Sequence, residues 1–236
     1  MRKIFSFIIL LSSLANLGHA QATFKQTDIL RSYKEAEELI NLGKYAVAYP
    51  LLEEFVQKYE NKTLDKSNLI YADAVFYKAL CEKETGSPEA RYDLLYFAEN
   101  FKGHPKTNNA YFQLGDLAYA RSDYKEALEY FDKVDEKSLS GKDVAEFQFK
   151  RAFANFALKK FSQARGYFNK IAADKKHPYA EEGNYYSGLS SYYLKDYKAA
   201  LRSFQALESS KKYGKIVPYY IAAIKFNNKD FKGVLF

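Results

Sequence analysis

Residues 111–131 read YFQLGDLAYARSDYKEALEYF, and their spacing decides the fold. Apolar residues recur at steps of three and four, the helical period, on both sides of the polar break Arg121-Ser122-Asp123. The stretch predicts two short helices joined by a tight turn. Ser122-Asp123 ends the first helix and caps the second, because such side chains accept from the free N–H groups of a new helix. Gly115 on the first helix and Ala127 on the second leave room for the two axes to approach. Large residues such as Tyr119 and Phe131 fill the remaining volume.

The pattern recurs. GKYAVAYPLLEEF, KKFSQARGYFNKI and KDYKAALRSFQAL each hold an aromatic residue, an alanine three positions on and an apolar residue four after that. The alanines are Ala48, Ala127, Ala164 and Ala200, followed by Leu52, Phe131, Phe168 and Phe204. SPEARYDLLYF, with Ala90 and Leu94, is a degenerate copy, and KDFKGVLF, with Val234, opens a sixth. Steps between the aligned small positions are 42, 37, 37, 36 and 34 residues. A helical stretch precedes each copy, with Ala36, Ala79, Gly115, Ala152, Gly188 and Ala222 in register. A period of this size predicts stacked units, since no helix pair alone buries its apolar stripe.

Tyr111…Leu114-Gly115…Tyr119…Ala127…Phe131 resembles the tetratricopeptide repeat. The resemblance implies an all-α, right-handed superhelix of about six repeats, over roughly 28–60, 69–102, 108–138, 144–175, 180–211 and an incomplete 216–236. The chain departs from the pattern in places. It has no tryptophan, and Arg151 stands where a leucine is usual. Pro50 lies inside the second helix of the first unit and is expected to kink or shift it. The 42-residue first step implies a longer connection around Asn61 to Asn68. The terminal GVLF is apolar and uncapped, which predicts either a longer repeat protein or self-association through that end.

The N-terminus reads as a secretory signal. Arg2 and Lys3 precede an apolar run from Ile4 to Leu11, and small residues lead to Gly18-His19-Ala20. Cleavage is expected after Ala20, with Ala22 as the alternative. The run falls short of the roughly 20 residues a membrane span needs, and no cysteine follows the cut to take a lipid anchor. The expected mature chain is exported to the periplasm or outer membrane of a Gram-negative bacterium, with no transmembrane segment. Its formal net charge falls from +7 to +5 as Arg2 and Lys3 leave. Interspersed signs, with no long basic run, indicate helix surfaces and no nucleic-acid partner.

Catalytic sets are absent from the sequence. It contains no glycine-rich phosphate loop, no HExxH and no GxSxG. Cys81 is the only cysteine, so no internal disulfide forms, and it reads as a small apolar residue at a helix contact. His104 and His177, in GHPK and KHPY, lie 73 residues apart, two repeat periods, and read as equivalent turns between units. No enzyme activity, metal or cofactor is expected.

In the resembling family the first helices of successive units line a concave groove. On this sequence that face would carry Phe76, Tyr77, Phe112, Gln113, Asp116, Phe149, Lys150, Phe153, Tyr185, Tyr186, Tyr192, Tyr219 and Tyr220. Tyr and Phe offer large contact area with few rotatable bonds, which suits binding anchors. Many of these rings also belong to the packing between units. In the doublets Tyr185-Tyr186 and Tyr192-Tyr193, neighbours point about 100° apart, so one of each is expected to reach solvent. The lysine–asparagine clamp for a free carboxylate is missing, and Lys34 and Lys150 read as isolated. The expected function is a cell-envelope scaffold that holds an extended polypeptide or partner protein. The alternative is a glycan-binding surface using tyrosine platforms.

Overall fold

The computed structural model of the protein describes residues 30–60 and 69–227. The expected signal, the connection 61–68 and the terminal GVLF lie outside the described residues. Helices α1 (30–41) and α2 (Tyr45–Glu60) form the first hairpin. Then come α3 (Leu69–Thr85) with α4 (Ala90–Asn100), α5 (Thr107–Ala120) with α6 (Tyr124–Phe131), and α7 (Gly141–Ala157) with α8 (Phe161–Ala173). The last are α9 (Ala180–Tyr193) with α10 (Tyr197–Gln205), and α11 (Val217–Asn227). A single 3₁₀ turn, Glu136–Ser138, interrupts the α-helices, and no strand occurs among the described residues.

The chain divides into two compact units, residues 1–107 and 108–236. In the first, α3 packs between α2 and α4. In the second, α7 packs between α6 and α8, α9 between α8 and α10, and α11 against α10. Helices α3, α7 and α9 thus each have two second-helix neighbours. That arrangement requires a wide apolar stripe on the inner helix, wider than one hairpin alone could cover.

The turns inside the hairpins share one backbone solution. Gly43, Gly86, Ser122, Lys159 and Lys195 all have positive φ, at 70°, 78°, 62°, 58° and 60°. Each donates to the carbonyl three residues back, and the next residue donates five back, as in Lys195 N to Tyr192 O (2.9 Å) and Asp196 N to Ser191 O (2.9 Å). This pair of bonds satisfies the last free carbonyls of the first helix. Asp123 and Asp196 then cap α6 and α10, accepting from the N–H groups of Glu126 (3.0 Å) and Ala199 (3.1 Å). The polar turn residues therefore act as the sequence indicates.

The small positions sit where the helices cross. Ala36, Ala79, Ala152, Ala48, Ala127, Ala164 and Ala200 are all fully buried, and so are Leu52, Leu94, Phe131, Phe168 and Phe204. At Gly115 an added Cβ would lie 2.4 Å from Cε1 of Phe131; at Gly188 it would lie 2.7 Å from Cε1 of Phe204. Phe131 cannot easily move, because Phe147 stands edge-on to it at 5.5 Å and Phe112 stacks at 6.4 Å. Gly183 brings α9 onto α8, where a Cβ would meet the Ala172 N–H nitrogen at 2.9 Å. Cys81 is buried, and burial, with Glu82 and Glu84 nearby, pushes its thiol up to about 12. It fills space at a helix contact.

α2 runs unbroken from Tyr45 to Glu60 with Pro50 inside it. Ala46, whose carbonyl loses its intrahelical partner to the proline, lies exposed in the first turn, where water can serve it.

Gly115→Ala and Gly188→Ala should each lower stability by about 1–3 kcal/mol, seen as a fall in the urea midpoint. Gly166→Ala should raise it slightly, because that helical glycine has nothing within 4 Å of the added carbon. Lys159→Gly and Lys195→Gly should be neutral or stabilising by up to about 1 kcal/mol, since glycine adopts positive φ without strain. Lys159→Val should destabilise clearly in the same assay.

Candidate functional site: the inner-helix aromatic face

The proposed binding rings separate into core and surface. Phe76 is only 3% exposed, 5.3 Å from the Phe97 ring, and Phe112 is 2% exposed between Phe131 and Phe147. Both face second helices and offer no contact area, a correction to their place on the groove. Gln113 is also buried and donates to Asn109 Oδ1 at 3.0 Å. Tyr77 is half-buried, with Lys106 Nζ 4.8 Å over its ring.

The second unit holds a connected set of half-buried rings. Phe153 stands edge-on to Tyr119 at 5.9 Å and to Tyr186 at 5.2 Å. Tyr186 stacks on Phe168 at 5.2 Å, and Phe149 stacks on Tyr179 at 4.7 Å. Tyr185 turns the other way, stacking on Tyr213 at 4.5 Å with its hydroxyl 3.5 Å from that of Tyr220. Tyr220 stacks on Phe204 at 5.0 Å, and Tyr192 lies 5.9 Å from Tyr197 and 6.4 Å from Tyr220. Burial, aided by neighbouring phenols, holds the Tyr119 and Tyr185 hydroxyls well above the usual tyrosine range, so both remain donors.

The doublets follow helical geometry only in part. Tyr193 is 55% exposed beside half-buried Tyr192, and Tyr219 is 78% exposed beside half-buried Tyr220. Tyr185 and Tyr186 are both half-buried. The reason is that α9 has neighbours on two sides: Tyr186 meets α8 through Phe168, and Tyr185 meets the chain around Tyr213 and α11.

The charged members are already engaged. Lys150 binds Asp116 on α5 and lies 2.5 Å from Glu146, one turn back on α7. It is therefore not isolated, and it ties two inner helices together. Arg151 is explained too: its guanidinium lies 5.0 Å over Tyr167 and donates to Asp132 at 2.8 Å. An arginine here bridges α6 and α8 where a leucine would only fill space.

The two His-Pro turns share a clasp that spacing alone did not reveal. His104 Nδ1 accepts from Lys106 N at 3.2 Å, and His177 Nδ1 accepts from Tyr179 N at 3.1 Å. The carbonyls of the same histidines accept from Thr107 N (2.9 Å) and Ala180 N (3.0 Å), at the starts of α5 and α9. With Nδ1 as acceptor, the ring proton sits on Nε2, which reaches Gln148 Oε1 at 2.9 Å from His177. His104 Nε2 faces Asp73 at 3.6 Å. Burial pulls both imidazoles below the usual histidine range, partly offset by Asp73 in one and by Asp174 and Glu182 in the other. The described residues hold no group of three or more His, Cys, Asp and Glu side chains able to take a metal ion. None of their helices is long and apolar enough to cross a membrane.

The tetratricopeptide repeat family matches residues 88–141. Nearly identical TPR-like repeats from Podosopora anserina share the fold at 16% identity and a TM-score of 0.56, over 78% of this chain and 97% of that one. A tetratricopeptide repeat protein from Parabacteroides merdae ATCC 43184 is similar at 17% identity and 0.57, over 83% and 73%. RapI in its apo form is similar at 12% and 0.51, over 88% and 73%. No curated protein matches the sequence. Residues 88–141 thus match the tetratricopeptide repeat model, and the described helices share the fold of these repeat proteins.

Protonation would place a hydrogen on Nδ1 of each histidine and remove the acceptor of the clasp. The folded pKa lies below the unfolded value near 6.5, so the stabilisation is complete above that pH and declines as pH falls through it. Urea midpoints measured between neutral and mildly acidic pH should fall, and His104→Gln/His177→Gln should flatten part of that fall.

Proposed function

We propose that the protein is an exported, non-catalytic scaffold of the bacterial cell envelope that holds an extended polypeptide against its inner-helix face. The observation that carries this reading is the half-buried ring set of α7, α9 and α11, with Tyr219 projecting at its edge. Rings held in place by stacking lose little freedom when a partner arrives, so their contact area converts well into affinity. The Tyr186 hydroxyl, kept protonated by burial, can donate to the carbonyls of an extended peptide. The leader-like N-terminus supports the envelope location. Phe149, Phe153, Tyr186, Tyr192, Tyr219 and Tyr220 are the residues assigned to contact.

A display of extended peptides on the immobilised chain tests this. Tyr192→Ala/Tyr219→Ala should weaken peptide binding by at least about tenfold, the scale of an interface anchor, while circular dichroism stays helical. Undiminished binding by that variant would place the site elsewhere. If soluble glycans quench tyrosine fluorescence and peptides do not bind, the glycan alternative replaces this reading.

A further inference from the structure

In the first unit, helices α2 and α4 leave an open cleft of about 350 Å³ over α3. Small-ligand sites span roughly 300–1,000 Å³, so the cleft is large enough for one. Val56 of α2 and Val75 of α3 give it an apolar base. Tyr96 of α4 stands at the rim, 40% exposed, with its ring edge-on to Phe101 at 6.3 Å. Glu53 of α2 and Asp93 of α4 line it from the two outer helices.

The charges in and behind the cleft do not balance. Lys78 is the single cation among the lining residues. Its Nζ is divided between Glu82 Oε1 at 2.6 Å and Asp93 Oδ2 at 2.5 Å. Glu82 is buried, and its second carboxylate oxygen has no hydrogen-bond partner among the described residues. Burial pushes this carboxyl above the usual carboxylate range, and Lys78 offsets the push only in part. Glu53 accepts from the Tyr49 hydroxyl at 3.1 Å and makes no ion pair among the described residues. Three carboxylates therefore share one ammonium. They do not gather as metal ligands do. An organic cation with an apolar stem suits both the base and the walls.

We infer that this cleft binds a guanidinium or ammonium group on an aliphatic stem, the chemistry of an arginine or lysine side chain. The head lies between Glu53 and Asp93, the stem lies on Val56 and Val75, and the Tyr96 ring flanks the charge. When the head takes Asp93, Lys78 is left to Glu82, whose pairing improves. None of these residues belongs to the ring set of α7, α9 and α11, so the inference stands independently of the peptide reading.

Methyl-resolved nuclear magnetic resonance of the full chain tests it. Acetyl-Ala-Arg-Ala-amide should shift the Val56 and Val75 methyl signals saturably, and its affinity should fall with added salt. The same peptide with citrulline, similar in shape and uncharged, should bind at least about tenfold more weakly. Butylguanidine separates the sources of the cation. Binding as tight as the tripeptide's would support a free cation as the ligand, and weaker binding would support a side chain on a polypeptide. Glu53→Gln, which keeps an acceptor for Tyr49, should weaken the arginine peptide by at least about fivefold. Glu54→Gln, beside it on α2 but paired with Lys58 and exposed, should leave binding unchanged. Unmoved Val56 and Val75 methyls, equal binding of the citrulline peptide, or an equal loss in Glu54→Gln would overturn the inference.

Discussion

At Gly115 a single methyl group would stand 2.4 Å from the ring of Phe131. The close approach of α5 to α6 depends on the absence of that methyl. With the two axes this close, the Phe131 ring lies across the glycine and reaches Phe112 and Phe147, so one small residue sets the position of three large ones. Gly188 and Phe204 repeat the arrangement two periods on. Elsewhere alanine suffices, as at Ala152 beside Phe168. Close packing of this kind gives dispersion and burial their full value, which is how a chain with no internal disulfide secures its core.

The same geometry decides what is left over for binding. An inner helix between two outer ones spends most of its circumference on cohesion. Rings directed at those neighbours, such as Phe76 and Phe112, are consumed by the core. Rings to one side, such as Phe153 and Tyr192, stay half-covered and are steadied by their neighbours. Stability and recognition thus draw on adjacent positions of one helix.

The hairpins were readable because their determinants are local. Period, small residues at crossings and polar turn residues all lie within about forty residues of each other, and each acts on its own helix. The face was less readable because it depends on packing between units. Tyr185 and Tyr186 look like one buried and one free ring, yet both are half-buried, since α9 has a partner on each side. Lys150 looked isolated because its partner Asp116 lies 34 positions away, on the neighbouring inner helix. Its spacing of about one repeat was a usable signal. The histidine clasps were visible only as matching His-Pro pairs; the accepting Nδ1 atoms required coordinates.

A double-mutant cycle between Gly115→Ala and Phe131→Leu tests the central claim most directly. If the crossing is limited by contact between those two residues, the smaller, flexible leucine should absorb the added methyl. The destabilisation by Gly115→Ala should then be largely cancelled in the Phe131→Leu background, giving a coupling on the order of 1–3 kcal/mol. Additive effects, with no coupling, would contradict the account and place the constraint at Gly115 outside the Phe131 ring.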